Sequence, residues 1–365
     1  MKEQDYWLWL TGIKGFGNKK IKILLESYFK PKDIFEADEK DIKQIMSVYP
    51  FVKNDYSEFR ASKDLAVIEK LSKNMEDNQI NVITIDSNNY PSRLKSIYDP
   101  PFVIFYKGRI IPESKVSIGI VGARKCTAYG AVIAKDFGAR LAEKGVSIVS
   151  GMALGIDANA HWGALENGGY SVAVMGCGVN ICYPPENNRL WRELIKKGTI
   201  ISEFAINEQP SKGHFPKRNR IISGLCDGIL VVEAKERSGS LITVDNALEQ
   251  GRDVFAVPGK IQEQLSKGTN NLIKMGAKLV TCADDILEEY EDRFFLTTKT
   301  SSHISLKFEE REKQLYNIIQ WEPIDYESLI NKAKMPIDEI SYLLIKLELK
   351  GAVKQLPNRY FIRVI

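Results

Sequence analysis

Between Lys212 and Arg220 the chain concentrates four basic side chains, a histidine and an aromatic ring within nine residues, with no acid among them. Cationic groups at that density suit a polyanion, because each can neutralise a phosphate and release its counterions. A ring among them adds a face on which an exposed base can stack. The candidates for this chemistry are His214, Phe215, Lys217, Arg218 and Arg220. Arg220 also has a structural reading, since an arginine opening a helix can pair with Glu203 or Glu233 instead.

Four glycine turns supply further candidates. Gly122, Ala123 and Arg124 leave an apolar run and enter a helix starting near Thr127, where glycine lets backbone approach a phosphate, helix amides donate and arginine adds charge. Ser150 and Gly151 open a second turn in which Asp157 can cap a helix, although its glycines suit a purely structural bend equally well. His161, one turn further on, is expected to be a packed helix residue rather than a catalyst. Gly176 and Gly178 make a third turn, which closes over a ligand or makes a tight bend. Ser238, Gly239 and Ser240 form a fourth, with small hydroxyl residues at a helix start, a natural phosphate cradle. None of these is a dinucleotide fingerprint or a P-loop, and no acid/base pair stands out for glycosidic cleavage. No cofactor is expected.

The elements that must position these residues follow from hydrophobic patterning. Apolar runs at 116–121, 146–149, 172–175, 199–201, 229–232 and 254–257 alternate with helical segments, which implies an α/β fold with a mostly parallel sheet covered on both faces. Binding then belongs at the carboxyl ends of the strands. Residues 1–62 are expected to form a small helical domain resembling a helix-hairpin-helix or SAM module. Its glycines at 12, 15 and 17 precede a helix carrying Lys19, Lys20 and Lys22; the module either grips nucleic-acid backbone or caps the structure through Trp7 and Trp9. The α/β domain spans 63–292, with strands near 80–85 and 99–108 before the alternation begins. A polar linker covers 293–306, and 307–365 forms a winged helix in which Ile337, Ile340, Leu344 and Leu347 share one face. From Lys307 onward there are ten basic and nine acidic residues, so this module lacks the positive face of a phosphate reader.

Composition sets the frame. The 365 residues call for two or three domains, and 51 basic against 47 acidic residues leave a net charge of +4, so any anionic partner must be held by local clusters. The five cysteines are widely spaced, with no C-x-x-C pair, and are expected to be reduced core thiols of a cytoplasmic protein. Neither a signal peptide nor a membrane span is indicated.

Read in order, the motifs spell out a family. Val121 to Arg124, Ser150 to Asp157, Gly176 to Gly178 with Tyr183 and Pro184, Ser202 with Glu203, Phe215 to Leu225, Val232 to Ala234, Ser238 to Leu241 with Thr243, Val257 to Gly259 and Gly268 to Asn270 closely resemble the DprA/Smf family of DNA-processing proteins, from about Tyr90 to Val280. The resemblance implies an extended Rossmann-like domain that binds single-stranded DNA, dimerises, and loads the recombinase RecA during natural transformation, without being an enzyme. It also implies a phosphate pocket at Gly122, Ala123 and Arg124 and a basic, aromatic segment at Phe215, Lys217, Arg218 and Arg220. Ala205 departs from the family, in which many members have proline. The main rival is a nucleoside monophosphate phosphoribohydrolase, whose similar fold carries a P-G-G-x-G-T-x-x-E loop. The corresponding stretch here, Ser238 to Asp245, lacks that glutamate. A second rival is a winged-helix regulator with a sensory domain.

Overall fold

The computed structural model describes residues 2–295, except 50, 53, 114 and 115, and residues 309–363, except 321–323, 351, 357 and 358. The chain divides into two compact units, Met1–Phe295 and Leu296–Ile365. The expected linker from 296 onward lies outside the described residues, while Glu291–Phe295 is a helix.

The first unit is built on nine strands: β1 (Asn81–Thr84), β2 (Val103–Gly108), β3 (Ser117–Val121), β4 (Ser147–Ser150), β5 (Ser171–Val174), β6 (Thr199–Ser202), β7 (Gly228–Val231), β8 (Asp253–Ala256) and β9 (Lys278–Leu279). Their order across the sheet is β1-β2-β6-β5-β4-β3-β7-β8-β9. Strands β3 to β9 pair in parallel, whereas β1 and β2 form an antiparallel edge against β6. The parallel strands match the apolar runs because helices bury both of their faces. In β3 the pleat sends Ile118 and Ile120 into a core with the Ala128–Glu143 and Ile156–Glu166 helices, and Val121 into a core with the His214–Gly224 and Gly239–Glu249 helices.

From β3 the chain moves to β4 on one side, and from β6 it returns to β7 on the other. The carboxyl ends of β3 and β7 therefore flank a topological switch point, where connections diverge and leave a crevice.

The N-terminal helices belong to the same compact unit. In the Glu3–Gly12 helix four successive residues, Trp7 to Leu10, are buried: Trp7 and Leu8 join a sheet core with Phe105 and Ala173, while Trp9 and Leu10 pack with Ile21, Leu24 and Phe59. A helix buried on opposite sides lies between two cores, and Trp7 also stacks on Phe102 at 5.7 Å.

The second unit has helices Glu310–Ile318, Tyr326–Ala333 and Ile337–Leu349 and a small sheet ordered β10 (Ile324–Asp325), β12 (Tyr360–Arg363), β11 (Val353–Leu356). This is the winged-helix arrangement. Ile340, Leu344 and Leu347 are buried as expected, but Ile337, at the helix's first position, is 57% exposed. Among the cysteines only Cys177 and Cys226 are buried; Cys126 and Cys182 are half-buried and Cys282 is exposed, and all five are free thiols. Among the described residues there is no metal-holding cluster, and no helix is long and apolar enough to cross a membrane.

Candidate nucleic-acid interface

At the first turn, β3 delivers Gly122 to a crowded place. A Cβ there would lie 2.7 Å from Ile156 Cγ1 and 2.8 Å from the Glu233 carbonyl oxygen, so the glycine serves close packing rather than access for a ligand. The Ala123 amide donates to the Glu233 carbonyl at 2.8 Å, and Ala123 is buried. The helix that follows is already occupied at its N-terminus: the Glu233 carboxylate accepts from the Thr127 amide at 2.9 Å and from the Thr127 hydroxyl at 2.5 Å. A side-chain anion thus fills the place a phosphate would take. Of the three residues expected here, Gly122 and Ala123 form the support and Arg124 alone projects outward, its guanidinium 5.1 Å from the centre of the Phe215 ring.

The second turn is likewise internal. Ser150 is fully buried and donates to the Ile120 carbonyl at 2.6 Å. Gly151 donates to Asp157 at 3.2 Å and its carbonyl accepts from Arg218 at 2.7 Å; a Cβ on Gly151 would strike that guanidinium. His161 is fully buried with Nδ1 2.7 Å from the Ser171 hydroxyl, and burial pushes its pKa down to about 3. It is a packed residue.

The fourth turn is open. Ser238 caps the Gly239–Glu249 helix, its hydroxyl accepting from the Ser240 amide at 3.4 Å and lying 2.8 Å from the Ser240 hydroxyl. Gly239 is exposed, and its amide meets no acceptor among the described residues. Of the two helix starts at the switch point, one is filled by Glu233 and the other faces a cleft.

The basic segment does not present its charges as one cluster, because it is a helix. His214–Gly224 turns about 100° per residue, so neighbours diverge and residues three or four apart share a face. Phe215, Arg218, Asn219 and Ile222 face the switch point; Lys217 and Arg220 face away. Phe215 stands between two clefts of about 360 Å³ each, both of which also touch Arg124, Ala153 and Arg218. One runs to Ser238, Gly239 and Ser240, the other to Tyr183, whose ring lies 5.6 Å from that of Phe215.

Arg218 is buried and spent on structure: it donates to the carbonyls of Gly151 and Val174, and Nε reaches Asn219 Oδ1 at 3.2 Å. Burial pushes its pKa down to about 10; buried Asp157 opposes that shift and the like charge of Arg124 adds to it. Arg220 pairs with Glu203 and Asp99 and donates to the Asp99 carbonyl, so its structural reading describes the geometry. Glu203 remains raised in pKa by burial, with Arg220 pulling it back. His214 stacks on Phe204 at 4.1 Å, with Nδ1 3.2 Å from the Gly176 carbonyl and Nε2 3.4 Å from Glu208, so it is already placed against protein partners. Lys217 is exposed but lines a different groove.

Two further residues, Arg237 and Asn219, join the site without having been expected from the sequence. Arg237 is exposed on the cleft rim, and like Arg124 makes no ion pair among the described residues. Its signal was its place directly before the Ser238 cap. Asn219 is buried, accepts from Arg218 and donates to the Gly239 carbonyl at 3.2 Å, linking the two helices across the cleft.

Comparison with known proteins agrees with this architecture. Residues 81–291 match the family model of DNA recombination-mediator protein A, and residues 306–359 match the DprA winged helix domain. The DNA processing protein DprA of Streptococcus pneumoniae is 48% identical over 202 residues, 55% of this chain and 71% of that protein. The Smf protein of Escherichia coli is 38% identical over 298 residues, 78% of each chain. Among solved structures, DprA from Streptococcus pneumoniae superposes with a TM-score of 0.68 at 39% identity, covering 79% of this chain and 99% of that one. Helicobacter pylori DprA, whose structure concerns a single-stranded DNA binding mode, gives 0.54 at 27% identity, covering 59% and 96%. A helical N-terminus, a parallel sheet with its switch-point cleft and a C-terminal winged helix, matched over most of the chain, make this protein a member of the DprA/Smf family of DNA-processing proteins.

Proposed function

We propose that the protein binds single-stranded DNA, without strong sequence preference, at the switch-point cleft, and that it acts in DNA processing during natural transformation. The observation that carries this reading is the convergence of Arg124 and Arg237, both without an ion pair among the described residues, on the open start of the Gly239–Glu249 helix beside Phe215. The two arginines and the helix amides supply phosphate contacts, while the ring offers a stacking face that tolerates any base. Gly122, Ala123, Ser150, Gly151 and Arg218 hold this geometry from behind. The Helicobacter pylori relative, described as a single-stranded DNA binder, supports the choice of ligand.

Loading of RecA onto the bound strand, a homodimer formed through the Rossmann-like domain, a cytoplasmic setting and the absence of catalysis complete the proposal. The phosphoribohydrolase alternative is disfavoured because Glu233 occupies the helix start at the first turn and the Ser238 loop lacks the required glutamate.

The direct test is an anisotropy titration with a labelled single strand, its duplex and AMP. The single strand is expected to bind tightest, weakening with salt by a log-log slope of about 0.7 per phosphate contacted. Tighter binding of the duplex or of AMP would overturn the reading. Strand exchange by RecA on coated single strands, with and without the protein, tests loading.

A further inference from the structure

The helix that divides the basic segment also directs it toward a second groove. Phe215 and Lys217 are two residues apart, about 200° around the helix, so they lie on opposite sides of a rod about 10–12 Å across. On the Lys217 side, a groove of about 800 Å³ runs between the start of the Asn18–Tyr28 helix and the 97–102 loop. Tyr98, 93% exposed, and Phe102 give it aromatic surface. Lys19, Lys22 and Lys217 are exposed along it and make no ion pair among the described residues. Lys20 is held by Asp55 at 2.7 Å. The acid in the groove, Asp99, is engaged by Arg220 and by Asn18 at 2.8 Å. What remains is three cations without an ion pair among the described residues, of which Lys217 also lies 5.9 Å from the centre of the Phe204 ring, around an exposed tyrosine.

We propose that this groove is a second track for the same single strand, which leaves Phe215, crosses the helix and continues with its phosphates along Lys217, Lys19 and Lys22 and a base on Tyr98. The inference rests on the single-strand reading of the switch-point cleft. Charge selects a polyanion, the exposed ring suits an unpaired base, and continuity through one helix makes the occupant the strand already bound. Passing half-way round the helix, about 16–19 Å for a rod about 10–12 Å across, takes about five nucleotides at the 3.4 Å spacing of one strand.

The test compares oligothymidylates of about six and about twenty nucleotides, one filling the first cleft and the other long enough for both. For the double variant Lys19→Ala, Lys22→Ala the longer strand should lose two phosphate contacts, lowering the salt slope by about 1.4 and the affinity by about 25-fold near 0.1 M salt. Its affinity for the short strand and its thermal midpoint should match wild type. Tyr98→Ala should weaken the long strand about fivefold or more at unchanged slope, and 5-iodouracil in the long strand should crosslink to Tyr98. If the double variant binds the long strand as wild type does, while Arg124→Ala weakens both lengths, the second track is overturned and the first cleft stands. Equal losses on both lengths also overturn it. If wild type binds neither length, the underlying reading fails instead.

Discussion

Arg218→Ala separates a structural guanidinium from a DNA-binding one. The side chain is buried and holds the carbonyls of Gly151 and Val174, at the ends of β4 and β5, together with the Asn219 side chain. Truncation removes three charge-assisted hydrogen bonds, leaves carbonyls without a donor and leaves buried Asp157 without its nearby cation. Removing one member of such a buried charged network costs about 3–5 kcal/mol. At about 2 °C per kcal/mol, suitable for a large unit, the midpoint should fall by about 6–10 °C. Arg218→Lys should recover only part of this, because an ammonium cannot span the same acceptors. Calorimetry measures the midpoint, and a salt series of single-strand titrations well below the transition measures phosphate contacts. A midpoint within about 2 °C of wild type, combined with a slope reduced by about 0.7, would refute the reasoning and make Arg218 a phosphate ligand.

Arg124→Ala should do the opposite, lowering the salt slope by about 0.7 and affinity by about fivefold near 0.1 M salt with no change in melting, while Arg124→Lys keeps the slope. Glu233→Ala removes the acceptor for Thr127 and should cost about 1–2 kcal/mol, read as a lower denaturant midpoint at unchanged m. His161 is neutral in the fold, with a pKa of about 3, but takes a proton in the unfolded chain below its ordinary 6.5. Its contribution is therefore lost as pH falls, at about 1.4 kcal/mol per pH unit below 6.5. His161→Asn should flatten the stability profile between about pH 6.5 and 4.5, and identical slopes in wild type and variant would exclude this role.

How far the fold was legible depended on burial. Six of the seven parallel strands were found to within about a residue because a strand covered on both faces must be apolar throughout, whereas the short, partly exposed β9 left no such run; the last long helix of the winged module showed through its periodicity. Binding at the carboxyl ends of the strands was expected from the same alternation, but the switch point between β3 and β7 required the strand order. The candidate site was legible in composition but less so in direction. The segment from Lys212 to Arg220 suggested one concentration of positive charge, yet its helix sends Phe215 and Arg218 one way and Lys217 and Arg220 the other.

By itself, then, the sequence determined the α/β scaffold, the four turns at strand ends and the concentration of positive charge between them, since these depend on residue type and local spacing. Only the tertiary structure decided which charges are free. Arg220 meets Asp99, 121 residues away in sequence, Arg218 meets Gly151, 67 residues away, and Thr127 meets Glu233, 106 residues away. A long charged side chain takes its role from the acceptor within its reach, and that acceptor is brought there by the fold.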